Sequence, residues 1–321
     1  MNAYVALGIA VFVWYIFAYV FEPRKPECGT PLPDSQPVRV VAALTTTPDA
    51  ATAGTHLHDA LASLTPWFDA VYLALPLRSS KGVEYPEVSY PGVTVTRIPE
   101  DAGPLSKYLA ATLHEDEPST LVVHVDDDFV YNPKMRASFE AAHRKHPHAA
   151  LTNSGLVFKY SSLRLPLWLN TYWQGFAARG LACFRSLPPI PRISGSRAVN
   201  VGQGYSGFAI TVQSLRGLEE FSKAHAHVSP HTFKNDDIVV SAFLAQQGVP
   251  RLAMDFDINH DQASNTGERI SGGTVSEFFS FCRQQDEVYW ALYPGTFDRD
   301  GYFSDAPVLL DIVLVLGATL L

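Results

Sequence analysis

The 321-residue chain has only three cysteines (Cys28, Cys183, Cys282) and no CxxC pair. Three thiols cannot build a disulfide framework, and their spacing suggests no zinc site. Positive charge is scarce as well: 24 Lys and Arg stand against 32 Asp and Glu, a formal net charge of −8. Gripping nucleic-acid phosphates requires a clustered excess of cations, so the balance argues against that class of function. There is no Asn-x-Ser/Thr sequon, no GxxxxGK[ST] loop and no GxSxG elbow. The last two absences argue against a phosphotransferase or hydrolase. Charged residues reach only 17% of the chain, below the roughly 25% of ordinary soluble domains. Hydrophobic residues make up 47%, which excludes disorder and places the apolar excess in lipid or in a large core.

Some of that excess sits at the start. Ala3 to Phe21 runs nineteen residues without a charge or a proline, and as a helix it spans about 28 Å, close to the thickness of a bilayer's hydrocarbon layer. No basic region precedes it and no small-x-small site follows, so residues 1–22 read as an uncleaved signal anchor rather than a cleaved signal peptide. Arg24 and Lys25 follow the span, which favours a cytosolic side for what comes next. Residues 23–37 contain Pro23, Pro26, Pro31, Pro33 and Pro37, a composition that reads as an extended stalk.

From Val38 onward a rhythm of short apolar runs and helical spacings sets in. Strands are predicted at Val38–Leu44, Ala70–Leu75, Val93–Ile98 and Thr120–Val125, and helices at His56–Leu64, Leu105–Leu113 and Lys134–Lys145. Strands alternating with helices predict an α/β/α sandwich with a mostly parallel sheet. In such folds ligands bind beyond the carboxyl ends of the strands. There stand Asp126, Asp127 and Asp128, directly after LVVHV. Three adjacent carboxylates at the exit of a buried strand repel one another, and a divalent cation with oxygen ligands is their natural partner. Strand alternation would let Asp126 and Asp128 converge while Asp127 points elsewhere. The segment Gly202–Gly207 holds three glycines in six residues, which permits close backbone approach to a ligand or forms an ordinary turn. Asn235-Asp236-Asp237 opens a helix, where carboxylates commonly serve as caps.

These residues together resemble a family. The order TTTP, GPLSK (Gly103–Lys107), VVHVDDDFVYNP (Val122–Pro133), GYSGFAI (Gly204–Ile210) and NDDIVVSAFLAQQGVPR (Asn235–Arg251) is similar to nucleotide-sugar glycosyltransferases of the GT-A fold. The likeness is to the family 2-like group and, more distantly, to exostosin-type enzymes, over roughly residues 38–260. The resemblance implies a GT-A domain over residues 38–300, a Rossmann-like sandwich that transfers a sugar from a nucleotide donor to a hydroxyl acceptor on a glycan, protein or lipid. It implies Mn²⁺ or Mg²⁺ held by Asp128 and Asp126, with His260 completing the coordination. Thr45, Thr46 and Pro48 would line the nucleotide base, and Lys107 would contact the nucleotide or its phosphates. Asp126 would alternatively touch the ribose or a metal-bound water. Asp127, Gly204, Tyr205, Ser206 and Gly207 join the donor side. Asp237 would be the base that takes the acceptor's proton, with Asp236 binding or orienting the acceptor. Two departures stand out: Gln203 replaces a frequent acidic residue, and Asp49 and Ala50 stand where an Arg is common. They leave open an inactive, membrane-tethered sugar- or metal-binding module of the same fold.

Trp168, Tyr172 and Trp173 lie where an acceptor would dock, or pack in the core. The histidines of HRKHPH (His143–His148) and HAHVSPH (His225–His231) read as solvated surface. Within the apolar tail at 301–321, the run Val308–Leu321 is fourteen residues long, interrupted by Asp311 and too short to span a bilayer comfortably. The family's usual setting implies a single-pass membrane protein with its catalytic domain in the Golgi or endoplasmic reticulum lumen, opposite to what Arg24 and Lys25 favour.

Overall fold

Val40–Thr45 (β1) is an apolar run with no exposed residue before Thr45, as expected of a strand covered on both faces. The computed structural model describes residues 30–156 (except 34) and 197–254, with 256, 258, 261–262, 284–285, 287–289 and 291–292. After β1, Thr47 caps a short helix, Pro48–Ala53 (α1), by accepting from the Ala50 amide, and Pro48 occupies its first turn. Then follow α2 (Thr55–Leu64), β2 (Val71–Pro76) and β3 (Val93–Ile98). A 3-10 turn at Gly103–Leu105 leads into α3 (Ser106–Thr112), then β4 (Leu121–His124), β5 (Phe129–Val130) and α4 (Met135–Lys145). Three short strands come next: β6 (Ala150–Thr152), β7 (Gly155–Leu156) and, beyond residue 196, β8 (Arg197–Ala198). The chain continues through β9 (Val201–Gly202), β10 (Phe208–Thr211), α5 (Val212–Leu215), α6 (Leu218–His225), α7 (Asp236–Gln246), β11 (Arg251–Ala253) and β12 (Asp261–Gln262).

The central sheet has the order β3-β2-β1-β4-β10-β6-β11, with the two-residue β8 as an eighth strand at the far edge. β3, β2, β1 and β4 run parallel, as do β6 and β11, while β10 is antiparallel to both β4 and β6. This is an α/β domain with a mixed, mostly parallel sheet. Strand alternation sorts its two faces. Val40, Ala42 and Leu44 share a core with Leu57, Leu61 and Leu64 of α2 and Phe139 of α4. Val41 and Ala43 pack the other way, with Ala110 and Ala111 of α3 and Val212 of α5. A further cluster joins Tyr108, Phe208 and Ile210 to Val240 and Leu244 of α7.

Some local expectations are corrected. His143 is buried, on the same inward stripe of α4 as Met135 and Phe139. Its spacing of four from Phe139 puts it on that face, so it is not solvated. The end of the proline-rich stretch is held against the domain: the Leu32 amide donates to Arg144 O at 2.7 Å, and Arg144 Nη1 donates to Gln36 O at 2.7 Å. Residues 1–29, the aromatic insert with Trp168, Tyr172 and Trp173, His260 and the tail at 301–321 lie outside the described residues. Among the described residues no helix is long and apolar enough to cross a membrane.

Candidate active site

The reversed strand β10 determines what meets at the sheet's edge. Its first residue, Phe208, lies opposite His124, the last residue of β4, and opposite Thr152, the last of β6. The loop entering β10, Gly202–Gly207, therefore shares an edge with the acidic run leaving β4. β4 ends at His124, and Asp127–Asp128 form a turn rather than extended strand. The alternation expected for the three acids thus does not apply, and side-chain partners separate them instead.

Asp126 accepts from Lys107 Nζ at 2.7 Å. Its backbone is clamped by buried Tyr131, whose hydroxyl accepts from Asp126 N and donates to Asp126 O, both at 2.9 Å. Asp127 turns away to accept from the Thr46 hydroxyl, with His56 Nε2 3.7 Å from the same carboxylate. Thr46 in turn receives the Tyr85 hydroxyl on its carbonyl at 3.0 Å. Thr45 donates to Ala74 O at 2.8 Å, tying the end of β1 to β2. Asp128 is pushed up to about 6, first by burial and then by the charges of Asp126 and Asp127. Burial likewise raises Asp126, against the pull of Lys107.

The second acidic pair arrives on α7. Asp236 lies 2.9 Å from Lys107 Nζ. Asp237 Oδ1 accepts from the Gly204 amide at 3.0 Å and from the Tyr108 hydroxyl at 3.4 Å. Burial, then the neighbouring Asp236 charge, raises the Asp237 carboxyl well above the ordinary aspartate range. Tyr108 is itself held by stacking on His124, with ring centroids 4.1 Å apart. His124 points Nδ1 at Phe208 O at 2.9 Å, and its burial lowers it to about 3, so it is neutral. Gly204–Ser206 is a 3-10 turn, and Gly207 follows it at φ +94°. Tyr205 rests near Phe129, ring centroids 5.8 Å apart, and donates to Ser154 Oγ at 3.1 Å. Ser154 Oγ donates in turn to Gln203 Oε1 at 2.9 Å, so Gln203 is engaged in the scaffold.

No family model matches the chain, and no characterised protein matches it in sequence. The site has to be read from its own chemistry. Asp126 and Asp236 share the ammonium of Lys107, and Asp237 feels its charge, while Asp128 faces the charges of Asp126, Asp127 and His56. A divalent cation would relieve the repulsion among the three acids of the turn. Among the described residues no three His, Cys, Asp or Glu side chains form a ready metal cage.

Lys107 is not the solvated helix residue that its position also allowed: only 3% of its side chain is exposed. Its ammonium is spent on two carboxylates. Tyr108, Tyr131, His56 and Tyr85 escaped the sequence reading. Tyr108 carried a weak signal, because it adjoins Lys107 in GPLSKY. The other three lie in a helix, a loop and a strand end that look ordinary in sequence.

Proposed function

We propose that the chain is a metal-dependent glycosyltransferase that moves a sugar from a nucleotide-sugar donor to a hydroxyl of a glycan, protein or lipid. The observation that carries this reading is the meeting, at one sheet edge, of a cation-demanding acidic turn and a second acid with a raised pKa. Asp128 and Asp126 would hold Mn²⁺ or Mg²⁺, which when bound neutralises the donor's diphosphate as a leaving group. Thr45, Thr46 and Pro48 stand at the end of β1, on the donor side. Gly204 to Gly207 bring bare backbone to the same edge. Asp237 acts as general base, and burial beside Asp236 raises its carboxyl above the ordinary aspartate range, which strengthens it as a proton acceptor. The Gly204 amide and Tyr108 hydroxyl both fall on Oδ1, which leaves Oδ2 to take the acceptor's proton. Asp236 orients Asp237's end of the helix and the acceptor.

We place the protein in a membrane through residues 3–21, with the domain facing the Golgi or endoplasmic reticulum lumen. Digestion of a C-terminal tag in sealed microsomes without detergent would overturn that orientation. The activity is tested by presenting UDP-, GDP- and CMP-sugars with and without Mn²⁺. Metal-dependent turnover of one donor, abolished by Asp128→Asn in a protein with an unchanged far-UV spectrum, is the expected result. Tight nucleotide binding without any turnover would point instead to the inactive binding module, a reading that the capture of Gln203 by Ser154 favours.

A further inference from the structure

Lys107 stands between the two acidic motifs rather than beside either one. Its Nζ is 2.7 Å from Asp126 Oδ1, at the exit of β4, and 2.9 Å from Asp236 Oδ2, at the start of α7. The two carboxylates come from segments 110 residues apart in sequence. The Lys107 side chain is only 3% exposed, and Gly204 packs close to its ammonium: a Cβ added there would lie 3.0 Å from Nζ and 3.2 Å from Asp237 Oδ1. The next residue, Tyr108, places its hydroxyl on Asp237 and its ring on His124. One turn of α3 therefore touches the donor-side acid, the acceptor-side acid and the proposed base.

We propose that Lys107 is a positioning residue, a buried cation shared by Asp126 and Asp236 that fixes the base-bearing end of α7 against the cation-binding turn, and not a ligand of the donor phosphates. The proposal takes the roles of the two acids it joins from the transferase reading. Two consequences follow from charge alone. Removing Asp236 releases the ammonium wholly to Asp126, where it competes with an incoming metal ion. Removing Lys107 leaves two closely spaced carboxylates with nothing between them, which costs stability until one is neutralised.

The test is a double-mutant cycle on the full chain, using Lys107→Met, Asp236→Asn and their combination. It is read by thermal melting and by Mn²⁺ binding, followed through the electron-spin signal of the free ion. The expected result is that Asp236→Asn weakens Mn²⁺ binding about tenfold in the wild-type background and about twofold or less beside Lys107→Met. Lys107→Met should lower the melting temperature, and adding Asp236→Asn should restore most of the loss. If Lys107→Met alone fails to fold, recovery of a cooperative melt in the double variant supports the proposal equally, and no recovery overturns it. Equal weakening of Mn²⁺ binding by Asp236→Asn in both backgrounds would overturn it, because the loss would then be plain through-space attraction between Asp236 and the ion. So would a Lys107→Met protein with wild-type stability and Mn²⁺ affinity but no UDP binding, because Lys107 would then be a donor contact. Absence of turnover with every nucleotide-sugar sinks the transferase reading and leaves the cycle intact. Should Mn²⁺ not bind the wild-type chain at all, the melting data alone decide the coupling.

Discussion

Asp237 and Gly207 carry opposite kinds of constraint. Asp237 is held by two donors on one oxygen while its environment resists ionisation. Replacing it with Asn keeps the shape and removes the proton acceptor. Transfer should slow by roughly 10²–10⁴-fold, the range for a positioned acid or base, with donor affinity nearly unchanged in a nucleotide titration. A large loss of donor binding would show Asp237 to be a structural cap. Gly207 has no chemistry, only room: at φ +94° a Cβ would collide with Met135 Cε and come within 2.7 Å of the Phe139 ring. Gly207→Ala should cost about 2–4 kcal/mol through overpacking and backbone strain together, seen as a lower urea midpoint. Both residues were visible in sequence, one as an acid at a helix start and the other as a glycine in a glycine-rich turn. What sequence could not show was that Lys107 and Tyr108, one turn of another helix, complete the surroundings of Asp237. Such contacts join residues more than a hundred positions apart, and no local pattern records them.

At the scale of elements, the strands and helices expected in the first half fall within a residue or two of their observed bounds, while the short helix α1 and the strand β5 carry no apolar periodicity from which to predict them. Helix α4 shows where polarity misleads. Histidine counts as polar in the run HRKHPH, yet His143 falls on the buried stripe with Phe139. Burial, with smaller contributions from Arg144 and His148, lowers it to about 4, and its Nδ1 has no hydrogen-bond partner. A histidine lowered in the folded state stabilises it fully above the unfolded value of about 6.5, and that stability is lost as pH falls toward 4. The wild-type chain should lose about 1–3 kcal/mol from this residue over that window. His143→Leu should flatten the decline without harm at pH 7, checked by urea melts at pH 7, 5.5 and 4.5. An unchanged pH slope would place the imidazole in contact with water.

Across the whole molecule the two edges of the sheet differ in electrostatic completeness. At the edge away from the acidic turn, Glu115 receives both Arg39 Nε and Nη2 at 2.8 Å and the Tyr72 hydroxyl at 2.5 Å. Burial alone would raise this carboxyl, but the bonds from Arg39 and Tyr72 outweigh it and hold it below its ordinary value. Glu115→Ala should destabilise the domain by about 1–3 kcal/mol, less than for a fully buried pair because Arg39 still reaches water. A carboxyl lowered by folding contributes above its unfolded pKa, so mutant and wild-type stabilities should converge as pH falls below about 4.3. A deficit that stays the same from pH 7 through the lowest pH at which the domain is folded would assign the loss to packing. At the opposite edge Lys107 is shared between two carboxylates, and Asp128 is raised by burial beside two further acids, so that edge is the less complete of the two.

The reversed strand that brings the two acidic motifs together also orders events during synthesis. β4 and β6 are made early, but they are not neighbours: the lane between them belongs to β10, made some fifty residues after β6. Until residues 208–211 leave the ribosome, β4 has one paired side and one bare row of amides and carbonyls. Such an edge invites another chain, and a strand that must enter between two existing ones adds a slow, non-local step. The same insertion that assembles the site therefore leaves one side of β4 open until late in synthesis, with only β11 of the sheet still to come, and that open side is exposed to a chaperone or to a second nascent chain.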